Sequence, residues 1–94
     1  MLEEDNYLKN IKIAILGDKT RKINKIRDIL KDYEVKTYLE KDELIEQIKK
    51  KEKYDLIILF DDMKPSGIDV FKELKEIKGY KTPTVVLLED NKMK

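Results

Sequence analysis

The sequence predicts an α/β fold on a parallel sheet, and three observations carry the prediction. Four short runs rich in branched aliphatic residues, "IKIAIL", "EVKTYL", "DLIILF" and "TPTVVLL", read as strands. Three intervening segments carry apolar residues at helical spacing. The two kinds of segment alternate as βαβαβαβ. Crossovers of that length join parallel strands, with the right-handed sense that strand twist imposes.

Residues 1–10, "MLEEDNYLKN", are polar and read as a lead-in segment before a domain over 11–90 and a tail over 91–94. The first strand runs from Ile11 to Leu16 and stops at Gly17 and Asp18. Thr20 is the expected cap of a helix over 20–32, with Ile23, Ile26, Ile29 and Leu30 on one face. In the second strand Val35, Thr37 and Leu39 alternate with Lys36 and Tyr38, the pattern of a strand with one wet face. Tyr38 reads there as an ordinary edge-strand aromatic. Asp42 is the expected cap of a second helix carrying Leu44, Ile45 and Ile48. The third strand, Asp55 to Phe60, is apolar on both faces. A third helix over 67–78 presents Val70, Phe71, Leu74 and Ile77, and Gly79 is its expected stop. The fourth strand covers Thr82 to Leu88, with Pro83 near its start, where a missing donor does least harm.

The strand order follows from burial. The half-polar second strand belongs at an edge and the wholly apolar third strand in the middle. Order 2-1-3-4 satisfies both requirements. This is the flavodoxin-like arrangement, in which ligands are handled at the carboxyl ends of strands one and three. Those ends carry Asp18 and the pair Asp61 and Asp62.

Composition narrows the chemistry. The chain has 94 residues, of which 44% are charged, yet the formal net charge is only +1. That balance favours neither nucleic acid nor an anionic membrane as partner. The lysine run Lys49 to Lys51 with Lys53 is interrupted by Glu52 and reads as a solvated helix end. Cys and His are both absent, which removes a disulfide frame, a thiol nucleophile and the commonest general base. No apolar run reaches membrane-spanning length and the N-terminus is acidic, so a soluble, cytoplasmic protein is expected. The "GDKTRK" turn lacks the spacing of either glycine-rich nucleotide loop. Three carboxylates converging on one rim would be a hard-oxygen site of the kind that takes Mg²⁺. Beside a metal, a carboxylate can act as the nucleophile in phosphoryl transfer. Acids also stand at strand ends simply because the chain turns into solvent there.

Between Ile11 and Leu88 the stretches "IKIAILGDKTRKINKIRDIL", "KYDLIILFDDMKPSGIDVFKELKEIK" and "KTPTVVLL" resemble a response-regulator receiver domain, the phosphoacceptor module of two-component signalling. The resemblance implies a flavodoxin-like fold, a phosphoacceptor Asp at the end of the third strand, and an acidic pair after the first strand that binds Mg²⁺. The departures are specific. Gly17-Asp18 stands where the acidic pair belongs. The phosphoacceptor position falls on Phe60 when counted from Tyr54-Asp55, and on Asp61 when counted back from Pro65. Leu88 replaces the hydroxyl residue that ends the family's fourth strand, and the last helix, strand and helix of the family have no counterpart.

These departures imply a degenerate, receiver-like module whose signalling role is phosphorylation-independent, with no cofactor. Asp18, Asp61 and the Met63 carbonyl remain as a vestigial metal site. The alternative is an active phosphorelay receiver that uses Asp61 with Mg²⁺. The run Val85 to Leu88 is apolar on both faces yet lies at an edge in order 2-1-3-4. The expected partner is therefore a protein, or a second copy in a homodimer, held through the fourth strand.

Overall fold

In a computed structural model, residues 11–88 are described. The lead-in expected over 1–10 and the tail expected over 91–94 lie outside them. The elements are β1 (Lys12–Leu16), α1 (Thr20–Ile29), β2 (Glu34–Tyr38), α2 (Lys41–Lys49), β3 (Leu56–Phe60), α3 (Gly67–Lys75) and β4 (Thr84–Leu87). All strand pairs are parallel and the sheet order is β2-β1-β3-β4. This is the flavodoxin-like α/β fold expected from the strand pattern.

Strand alternation sorts the apolar side chains into two layers. Ile13, Ile15, Ile58 and Phe60 point to one face, where Ile23 of α1 meets them. Ala14, Leu16, Ile57 and Leu59 point to the other, against Leu44 and Ile45 of α2 and Val70 and Leu74 of α3. β1 and β3 are thus covered on both faces, which is why they contain almost nothing polar. The only cation in either strand, Lys12, sits at the start of β1 and turns its ammonium to Glu52 at 2.5 Å. Lys41 at the start of α2 reaches Glu73 of α3 at 3.1 Å and ties the two helices on that face.

Several sequence expectations shift in detail. Thr20 is the first helical residue rather than the cap, and α1 ends at Ile29. Lys19 precedes it and makes no side-chain cap. Asp42 likewise lies inside the first turn of α2 with Glu43, where acids complement the helix dipole without capping. α3 stops at Lys75, and Gly79 serves the following turn with φ of +85°. Ile29 is 75% exposed because one helix resting on a sheet buries a narrow stripe, here Ile23, Ile26 and Leu30. Tyr38 is 6% exposed, whereas Leu39 is 56% exposed. The Tyr38 ring lies under the α2 layer, edge-on to Tyr54, and their hydroxyls hydrogen-bond. A phenol turns inward at this otherwise polar position because its one polar atom finds a partner there.

Two expectations follow. A Cβ on Gly67 would lie 2.8 Å from the Phe60 carbonyl oxygen and 3.2 Å from the Asp61 Cα, both backbone atoms that cannot give. Gly67→Ala should therefore cost roughly 1–3 kcal/mol in urea unfolding, and an unchanged midpoint would contradict the packing described. Burial, followed by the Tyr38 hydrogen bond, raises the Tyr54 phenol above its ordinary value. A raised folded-state value means that the contribution is complete below the unfolded phenol's pKa of about 10 and is lost as pH rises above it. Stability measured between neutral pH and about pH 11 should fall less steeply in Tyr54→Phe than in the parent. Parallel slopes would contradict this.

Candidate functional site

The carboxyl ends of β1 and β3 meet where the strand order places them. The last ladder pair is Leu16 with Leu59. One step on, Gly17 lies beside Phe60, and both are buried. The fit is tight. A Cβ on Gly17 would stand 2.7 Å from Phe60 Cδ2, 3.3 Å from its Cγ and 3.4 Å from Ile23 Cγ1. No side chain fits at position 17 while the Phe60 ring is there. Glycine after the first strand and an aromatic at the end of the third are therefore one packing event: the ring occupies the space that a side chain at position 17 would need.

Asp61 is engaged differently. Its backbone N–H donates to the Leu87 carbonyl at 2.9 Å, which extends the β3–β4 pairing by one residue. Its Oδ1 accepts a 3.1 Å hydrogen bond from the Ile68 N–H, in the first turn of α3. Ser66, the N-cap of that helix, accepts from the Asp69 N–H at 3.2 Å. The two side chains together satisfy two of the donors that a helix start leaves without intrahelical partners. Gly67 allows this by letting the start of α3 press directly on the backbone of Phe60 and Asp61.

The rest of the rim is an ion-pair lattice. Lys22 Nζ lies 2.5 Å from Asp62 Oδ2. Lys19 Nζ donates to the Asp62 carbonyl at 2.6 Å and to Asp18 Oδ1 at 3.0 Å. The Asp18 side chain is 48% exposed and that of Asp62 18% exposed. Met63 turns its side chain onto the α2–α3 core layer. Asp18, Asp61 and Asp62 do line one shallow hollow, together with Lys19, Met63 and Lys64. Among the described residues, however, no group of three or more His, Cys, Asp or Glu side chains is disposed to hold a metal ion. The donor set in this arrangement does not fit Mg²⁺. A hard divalent ion needs several oxygens turned toward one point. Here one carboxylate faces a helix start and the other two face ammonium groups.

Sequence spacing brings Asp18, Phe60, Asp61 and Met63 to the same strand ends; in the structure Asp18, Asp61 and Met63 line the hollow, whereas the Phe60 ring is buried in the core layer under α1. It missed Lys19 and Lys22 as the partners of the acids, and it missed the helix-start role of Asp61. The Gly17–Phe60 contact was legible in principle. Order 2-1-3 puts the two strand ends side by side, and the one-residue stagger of the register, Ile13 beside Leu56, brings Gly17 rather than Leu16 next to Phe60.

A double-mutant cycle isolates the contact. Gly17→Ala should destabilise the parent by roughly 1–3 kcal/mol through overpacking, and far less in a Phe60→Val background, where the ring is gone. Additive effects in urea unfolding would show that the ring does not fill this space. Asp61→Ala should cost about 1 kcal/mol, the usual value of a lost helix-start acceptor.

Among the described residues, no helix is long and apolar enough to cross a membrane. No protein-family model matches the chain, and no curated protein matches it.

Proposed function

We propose that this chain is a receiver-like signalling module that acts by protein association and without phosphorylation. The observation that carries the reading is the Phe60 ring packed onto Gly17, at the strand ends where a receiver keeps its acids. A phosphoacceptor site requires its nucleophile, metal shell and phosphoryl donors together, and such groups do not act additively. A ring at the strand end excludes the acid beside it. Restoring one group would leave the others missing.

Association is the remaining use of such a scaffold, and the β4 edge supports it. Val85 is 44% exposed and Leu88 65% exposed. β4 pairs with β3 on one side, and among the described residues no strand lies on its other side. An open edge carrying apolar side chains is a template for a further strand. A second copy, joined by two-fold symmetry, is the simplest occupant.

The competing reading, phosphoryl transfer to Asp61 with Mg²⁺, is separated by mass. Incubation with acetyl phosphate and Mg²⁺ should leave the mass of the chain unchanged. A stoichiometric phosphoryl adduct that Asp61→Asn abolishes would overturn the proposal. Sedimentation at micromolar concentration should show a dimer that Val85→Lys weakens and that Lys36→Glu, on the opposite edge strand, does not. A stable monomer would remove the homodimer and leave a different protein as the partner.

A further inference from the structure

At the opposite end of the sheet, the amino ends of β3 and β4 frame an open cleft of about 570 Å³. Its walls are the chain leaving α2, the lead into β3, and the turn from α3 to β4. Ile48, Tyr54, Ile77, Tyr80 and Pro83 supply an apolar lining. Lys51, Lys53, Lys78 and Lys81 stand on the same cleft. Two acids also line it, Glu52 and Asp55, and both have partners. Glu52 holds the Lys12 ammonium, which keeps its carboxyl below the ordinary range. Asp55 accepts the Lys12 backbone N–H at 2.8 Å. None of the four lysines has an ion-pair partner among the described residues.

The charge balance at this mouth is thus not that of the chain. Over the whole molecule the signs nearly cancel, at +1. Here Glu52 is paired with Lys12 and Asp55 accepts a backbone N–H, and four lysines against these two acids leave an excess of positive charge beside an apolar hollow. Lysines at a helix C-terminus are favoured by the dipole, which accounts for a cation near Lys51. It does not account for Lys78 and Lys81, which lie beyond the end of α3 at Lys75. The left-handed backbone of Lys51, φ 73°, belongs to the stop of α2, where the Lys51 N–H donates to the Ile48 carbonyl and the Glu52 N–H to the Gln47 carbonyl. The volume falls in the range of clefts that take small molecules, with an apolar lining and a few polar groups to orient the ligand.

We infer that this cleft binds a small organic anion with a flat apolar body, the body against Tyr80, Ile48 and Ile77 and the anionic head among Lys51, Lys53, Lys78 and Lys81. The site is independent of the strand-end rim and of the association proposed through β4, so its failure would leave that reading untouched.

The test uses anilinonaphthalene sulfonate as the anionic probe and N-phenylnaphthylamine as its uncharged counterpart, read by fluorescence and by amide shifts. The anion should bind saturably, shift the amides of residues 51–55 and 77–82, and bind roughly tenfold more tightly than the neutral compound. A double reversal, Lys78→Glu with Lys81→Glu, should weaken the anion by about tenfold, equivalent to about 1.4 kcal/mol. The control pair Lys25→Glu with Lys72→Glu should change it by less than about twofold, since exposed charges away from the site are screened. Equal losses in the two double variants would overturn the inference. So would shifts confined to the β4 edge, or equal affinity for the two compounds. A glutamate-rich peptide that binds the cleft more tightly than the anion would replace the small-molecule ligand with a protein one.

Discussion

The contact between the Phe60 ring and Gly17 organises the carboxyl end of this sheet. β1 and β3 are neighbours in the middle of the sheet, and their last side chains on the α1 face must share one small volume. Protein interiors are packed to crystal-like density, so such a volume holds one large group or several small ones. Here it holds a single ring. Position 17 then has no room for a Cβ, and Ile23 of α1 closes on the same spot. The chemistry available at the strand ends is a consequence of that choice. An aromatic residue at the end of β3 gives the sheet a sealed, apolar corner and leaves the acids to the loops around it.

Those acids are then free to do structural work. Asp61 takes a backbone donor at the start of α3, Asp62 takes the ammonium of Lys22 on α1, and Asp18 that of Lys19 just before it. Each use draws on the same electrostatic resource that a metal would, namely oxygen lone pairs at the rim. The exposed pairs contribute little individually, since solvent screens them and long side chains lose entropy. The Asp61 hydrogen bond is more consequential, because it fixes where α3 begins and so where Val70 and Leu74 enter the core. Fold and rim are linked in this way. Asp61, at the strand end, thereby positions the helix that packs on β3 and β4.

How much of this was legible in the sequence depended on the range of the interaction. The sheet order was readable because Lys36 and Thr37 mark β2 as an edge, while "DLIILF" can only be central. Periodicity found the three helices, but not their ends. Thr20 and Asp42 are good capping residues by type, yet Lys19 and Glu40 hold those positions without side-chain caps. Capping is decided by the path of the chain as well as by propensity. Tyr38 was misread because its buried hydrogen bond is with Tyr54, 16 residues away, which alternation along one strand does not reveal. The rim was read as a set of acids because acids are conspicuous in sequence. That Lys22 of α1 and Lys19 just before it would answer them depends on how α1 lies across the sheet.

The contact between the Phe60 ring and Gly17 is open to direct observation. In a two-dimensional NOE spectrum, the Phe60 ring δ protons should give strong cross-peaks to both Gly17 α protons, and those α protons should be displaced by the ring current. A Phe60 ring without cross-peaks to Gly17 or Ile23, with random-coil shifts for the Gly17 α protons, would contradict the account. In that case the strand ends would have room for an acid.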